Sequence, residues 1–187
     1  MVTRGGARYG RARARDLAAE LLGSSGNRWR HTAAVAERAV ELAVTVAEVD
    51  RDLLVAAAWL HDIGYAPPVV DTGFHPLDGA RRLDRTGWPR RIAALVAHHS
   101  GAGFVADVLG LGGLLDAYPR EAGPVADALT YADQTVDDLG RRVSVRDRLA
   151  GVLERHGPDS PNARAHHLRE PHLLAVAERV EARLGTA

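Results

Sequence analysis

The stretch "AAAWLHDIGY", residues 56–65, runs from helix-forming apolar residues straight into a histidine and an aspartate. Burying His61 and Asp62 at the inner end of a core segment is costly unless the pair is hydrogen-bonded to partners or bound to metal. The groups that satisfy this pair must come from elsewhere in the chain, and they decide how the sequence is read.

Around that stretch the apolar spacing is helical. "RDLAAELL" (15–22) repeats at helical intervals, and "GSSGN" then breaks the pattern and offers Ser or Asn as an N-cap. "WRHTAAVAERAVELAVTVA" (29–47) predicts a long helix with Val35, Ala39, Leu42 and Val46 on one stripe. "DRDLLVAAAWLHD" (50–62) predicts the next, capped by Asp50 and ended by Gly64, Pro67 and Pro68. "HPLDGARRLDRTG" and "PRRIAALVAHH" each begin with Pro in the first turn and are separated by Gly87. Further helices are expected near 121–134, 144–156 and 171–184, with a break at Pro171. No alternating β-branched run is long enough for a strand, so the class is all-α. The expected organisation is a basic, flexible arm (1–14) before one helical domain (15–187), with its core at 25–140 and a C-terminal helical extension at 141–187.

Composition narrows the chemistry. The chain of 187 residues has no net charge, so it offers no overall field for nucleic acid or an anionic membrane. All 24 basic residues are arginine, which excludes lysine Schiff-base and general-base chemistry. Without cysteine there is no thiolate nucleophile or thiolate metal site, and any metal must be held by nitrogen and oxygen. No secretory signal and no segment approaching a membrane span are read from the sequence, and a soluble, cytoplasmic protein is expected.

Five of the nine histidines lie between residues 31 and 99: His31, His61, His75, His98 and His99. Most sit at element ends or on otherwise apolar faces. Asp133, in "LTYADQ", adds a second carboxylate beside apolar neighbours. Such groups satisfy one another most simply by ligating cations, since neutral imidazoles then need no buried charge and the metals neutralise the carboxylates. His61 and Asp62 point about 100° apart on a helix, so adjacent ligands reach neighbouring ions. The simplest assignment gives one metal His31, His61, Asp62 and Asp133, and a second metal His75, His98 and a shared oxygen of Asp62. Two divalent ions against two carboxylates leave surplus positive charge, which attracts anions.

The ordered pattern H…HD…H…H…D reads here as "RWRH" (28–31), "HDIG" (61–64), "FHPLDGA" (74–80), "AHHSG" (97–101) and "YAD" (131–133). It resembles the HD-domain superfamily, an all-helical fold of metal-dependent phosphohydrolases, over roughly residues 25–140. The resemblance implies His31, His61, Asp62 and Asp133 as the core metal site, and His75 and His98 as the second site of dinuclear members, with His99 as an alternative or additional ligand. The chain looks most like small stand-alone members such as the diadenosine-tetraphosphate hydrolases. Many dinuclear members carry Lys three residues after the aspartate, where this chain has Tyr65.

The expected function is hydrolysis of a phosphoester or phosphoanhydride, in a nucleotide, with two divalent ions drawn from Fe, Mn, Zn, Co and Mg and with Asp62 and Asp133 as the catalytic carboxylates. Arg28, one turn before His31, has the planar fork that suits phosphate, and Tyr65 and His99 are further substrate-contact candidates. Tyr65 is read as a proton donor, a stacking surface for a base, or core. Arg81 and Arg82 have a weaker claim on phosphate. Asp137 and Asp138 fit either an outer layer that orients the histidines or a solvated loop. The same ligands also suit a mixed-valence di-iron oxygenase or a non-catalytic nucleotide-binding domain. His156, His166, His167 and His172 read as solvent-facing, and the stripe Leu173, Val176, Val180 and Leu184 packs over the bundle or contributes to a homodimer.

Overall fold

The computed structural model describes residues 10–186. Its helices are α1 (Arg11–Leu22), α2 (Gly26–Glu41), α3 (Arg51–Leu60), α4 (His75–Arg85), α5 (Arg90–His98), α6 (Ala102–Leu109), α7 (Gly112–Leu115), α8 (Pro124–Gln134), α9 (Val145–His156) and α10 (Pro161–Leu184). No strand occurs among the described residues, only an isolated bridge between Val136 and Arg142. The protein is therefore an all-α helical bundle, as its periodicity predicts.

The middle of the bundle is α3, and its alanines explain why. Val55, Ala57 and Ala58 face one apolar cluster, built with residues of α2, α8, α9 and α10, while Ala56 and Leu60 face a second, built with α1, α4, α5 and α6. Small side chains let helices approach from both sides, so α3 is buried around most of its circumference. The His-Asp pair follows directly at its C-terminal end and so lies at the junction of the two cores.

Two local devices aim the chain around that junction. A Cβ at Gly64 would lie 2.0 Å from the His75 carbonyl oxygen and 2.8 Å from the Gly79 nitrogen, so only glycine lets the Ile63–Tyr65 turn sit on the start of α4. The fully buried Asp78 carboxylate accepts from the backbone N–H groups of Asp71, Thr72 and Gly73 and from the Thr72 hydroxyl, tying the incoming loop to α4. Both devices fix His75 beside Asp62.

Several boundaries differ from expectation. The first helix begins at Arg11, inside the arm expected to be flexible; residues 1–9 lie outside the described residues. The long second helix stops at Glu41, and Leu42–Thr45 tightens into a 3-10 turn where the Thr45 hydroxyl donates to the Leu42 carbonyl at 2.7 Å. Asp50 makes no side-chain cap; it accepts from Arg91 instead, at 2.5 and 3.2 Å. Pro171 does not break α10, which continues through it because Ala165, Arg169, Leu173, Val176, Ala177 and Val180 pack on both sides of it while Pro171 itself stays exposed. Arg90–Leu109, 20 residues of mean hydropathy 1.4, is long and apolar enough by composition to cross a membrane, contrary to the sequence reading. Here it bends at Ser100 and Gly101, both with positive φ, into α5 and α6 and is mostly buried as core.

Candidate metal centre

Two groups of donors meet at this junction. His31 from α2, His61 just past α3 and Asp133 from α8 form the first; Asp62, His75 from α4 and His99 just past α5 form the second. In the first, His31 Nε2 lies 3.0 Å and His61 Nε2 3.9 Å from Asp133 Oδ1. In the second, His75 Nε2 lies 3.3 Å from Asp62 Oδ1 and 3.3 Å from His99 Nε2. Asp62 joins the groups, because its Oδ2 lies 3.7 Å from His31 Nε2 and 3.4 Å from His61 Nε2.

The donors fit divalent ions. Two donors each about 2.1 Å from one ion are about 3–4 Å apart, the spacing seen here, and an all-nitrogen and oxygen set suits the borderline and harder metals. The Nε2 atoms of His31 and His61 are fully buried and make no hydrogen bond of acceptable geometry, although carboxylate oxygens stand close by. Buried polar atoms left in this state are costly unless something else occupies the space between them.

The far nitrogen of each histidine explains its aim. His61 Nδ1 contacts the Ala58 carbonyl at 2.7 Å and His99 Nδ1 the Val96 carbonyl at 2.6 Å, so both residues, each one position past a helix end, use the carbonyl three residues back. His31 Nδ1 contacts the Asp137 carbonyl at 2.9 Å. In each case an Nδ1–H donor leaves Nε2 free as a ligand atom. Asp137 thus orients a histidine through its backbone, while its carboxylate closes its own loop onto Leu139 and Arg141.

Ser100 is the residue the sequence reading missed at this point. It holds a left-handed conformation (φ 54°) between α5 and α6, where its hydroxyl donates to Asp133 Oδ2, its N–H to Thr130 Oγ1, and its carbonyl accepts from Arg169 at 2.8 Å. Its only sequence signal is its place after two histidines.

The helix end also separates His98 from His99. His98, expected as the second-site ligand, is instead half-buried, points away with Nε2 at 2.8 Å from the Tyr118 carbonyl, and borders a different cavity. His99 takes the inward place. Tyr65 is 43% exposed with both ring faces covered, by the Arg28 guanidinium at 4.0 Å and by the His75 ring at 4.0 Å. No face remains for a base to stack on. Arg28 donates to Asp62 Oδ2. Arg81 pairs with Asp71 and does not border the cavity; neither does Arg82.

Electrostatics keeps the two carboxylates and the His75 and His99 rings in their ligating forms. Burial pushes the two carboxyls up, but His61 and Arg28 around Asp62, and His31 and Arg148 around Asp133, outweigh it and hold both well below the usual carboxylate range. Burial pushes His75 and His99 down, so they stay neutral near pH 7. At His61 burial is opposed and outweighed by Asp62, which raises it.

All of these donors except the fully buried His61 line a cavity of about 360 Å³. Three arginines from the C-terminal helices join Arg28 around it: Arg148 and Arg155 of α9 and Arg169 of α10. In a chain whose every cation is arginine, nothing in the sequence distinguishes these three. His156 stands exposed at the cavity's edge, His166 pairs with Glu170 at 3.2 Å, and His172 packs on Phe104; they form no metal-ligand group with one another among the described residues. Leu173, Val176 and Val180 are buried as α10 packs on α8 and α6.

An all-helical domain with two adjoining His/Asp groups converging between its helices has the donor set of a metal-binding domain. Residues 28–182 match the HD domain, so the chain belongs to the HD domain family, a superfamily of metal-dependent phosphohydrolases whose members bind divalent metals. The match takes in α9 and α10, beyond the stretch over which the sequence resemblance runs. No curated protein and no solved structure matches the chain.

Proposed function

We propose that the protein hydrolyses a phosphoester or phosphoanhydride bond, in a nucleotide, using divalent ions held by His31, His61 and Asp133 on one side and Asp62, His75 and His99 on the other. The observation that carries this reading is Asp62 turning one carboxylate oxygen to each group, inside a cavity bordered by arginines. When bound, divalent ions supply Lewis acidity toward phosphoryl oxygens and a water of lowered pKa.

The chain's own residues do the rest. Asp62 and Asp133 remain ionised and the Nδ1 contacts fix the histidine rings, so the donor positions are set before substrate arrives. Ser100 occupies Asp133 Oδ2 and thereby leaves Oδ1 to face His31. Tyr65 acts as a spacer between Arg28 and His75, holding the guanidinium at the cavity edge where phosphate oxygens would lie. The finer likeness to diadenosine-tetraphosphate hydrolases belongs to the same proposal, supported by the "FHPLDGA" and "AHHSG" segments.

The test is turnover of bis(4-nitrophenyl) phosphate and of a nucleotide panel by protein reconstituted with Mn²⁺, Zn²⁺, Co²⁺, Mg²⁺ or Fe²⁺ under anaerobic conditions. Metal-dependent hydrolysis that a chelator and Asp62→Asn both abolish is expected. Absence of hydrolysis with every metal, or turnover that needs dioxygen, would overturn the reading.

A further inference from the structure

Arg148 and Arg169 are the least compensated charges in the cavity. Each is only 9% exposed. Arg148 has Asp133 Oδ1 at 3.6 Å as its carboxylate neighbour, and its buried Nε makes no hydrogen bond. Asp133 is itself committed to the first donor group. Arg169 has no carboxylate within ion-pair distance among the described residues; it donates to the neutral Ser100 carbonyl at 2.8 Å and to the Asn162 side-chain oxygen at 3.3 Å. Arg155 has its own partner in Asp138 at 3.5 Å, so Arg28, Arg148 and Arg169 stand against the two carboxylates Asp62 and Asp133, an excess of one positive charge before any cation binds. Buried cations in such a state call for an anionic partner that the polypeptide does not provide.

The placement of these charges says what kind of anion. Arg28 flanks the Asp62 side of the donors, whereas Arg148 and Arg169 approach from the Asp133 and Ser100 side on separate helices. A single phosphoryl group seated at the donors would meet the nearer guanidiniums and leave the others uncompensated. We infer that α9 and α10 complete the active site with an anion clamp, Arg148 and Arg169, which selects substrates carrying at least two consecutive phosphates. The bond cleaved is then a phosphoanhydride rather than a monoester.

This inference rests on the hydrolase reading and deepens it. Water oxygen bonds to the phosphorus at the donor groups and gives its proton to solvent; the bridging P–O bond breaks, and its electron pair leaves on the second phosphate, where the clamp lies. Loss of one charge-assisted bidentate contact there costs about 10- to 100-fold in affinity.

The test separates clamp from catalysis by using metal-free protein in chelator and two simple probes, inorganic pyrophosphate and orthophosphate, measured by calorimetry. The wild type is expected to bind pyrophosphate at least about 10-fold tighter than orthophosphate, and Arg148→Met to remove most of that preference. Arg148→Lys, which keeps the charge and so guards against loss of fold, is expected to retain only part of it. Equal binding of the two probes by the wild type, or an unchanged preference in Arg148→Lys, overturns the clamp. If the metal-loaded protein hydrolyses bis(4-nitrophenyl) phosphate yet nucleoside diphosphates no faster than nucleoside monophosphates, the inference fails while the hydrolase reading stands. Pyrophosphate preference without hydrolysis of any substrate sinks the hydrolase reading and leaves the anion clamp in place.

Discussion

Adjacent histidines with opposite fates give the sharpest prediction. His99 is buried with Nε2 at 3.3 Å from His75 Nε2, whereas His98 is half-buried with Nε2 on the Tyr118 carbonyl at 2.8 Å. His99→Ala leaves the second donor group with His75 and the shared Asp62 alone. Loss of an outer-layer partner already costs about 10- to 100-fold in metal affinity, so loss of a direct donor is expected to exceed about 100-fold, or roughly 2.7 kcal/mol. His98→Ala removes one ordinary hydrogen bond, worth about 1 kcal/mol, and is expected to lower the melting temperature by about 2–4 °C without touching the donors. Elemental analysis of each variant after dialysis against metal-free buffer, with circular dichroism as the control for fold, reads both effects. The wild type and His98→Ala should retain two ions per chain and His99→Ala one. Loss of an ion from His98→Ala, with His99→Ala unaffected, would refute the assignment.

Gly64→Ala drives a methyl into the His75 carbonyl and is expected to destabilise by about 3 kcal/mol or more, seen as a large fall in thermal midpoint; a near-neutral effect would contradict the close approach. Ser100→Ala and Ser100→Gly both lose the bond to Asp133, but only glycine relieves the left-handed backbone, so the glycine variant should be the more stable by about 1 kcal/mol in urea denaturation. Equal midpoints would mean that no strain is held there. Asp127 lies away from the donors: burial raises its carboxyl, but Arg179 and Arg183 outweigh that and hold it below 3.8. A depressed folded-state pKa gives stability that is present above the ordinary value and lost as pH falls through the folded one. The melting-temperature gap between wild type and Asp127→Asn should therefore be constant above about pH 5 and close below about pH 4. A gap undiminished in acid would contradict the ion pairs.

The sequence carries the all-α class because helical spacing is repeated in element after element, and the donors because histidines at helix ends beside apolar runs have few inexpensive alternatives. The choice between His98 and His99 was not legible. It depends on α5 ending at His98, and helix ends shift by a residue or two for reasons local periodicity does not encode. The turn at Ser100 and Gly101 rotates the chain there, and a serine with positive φ leaves no compositional mark. Pro171 misleads in the opposite direction, since packing along α10 overrides its local cost. The cavity arginines stayed hidden for a different reason: Arg148 and Arg169 become distinct only through burial, which tertiary packing creates.

The most direct measurement is anomalous diffraction from crystals of the protein loaded with Mn²⁺. The account predicts two peaks, one among His31, His61 and Asp133 and one among Asp62, His75 and His99, with Asp62 reaching both. No peak at the end of α3, with manganese found only at surface carboxylates, would contradict it.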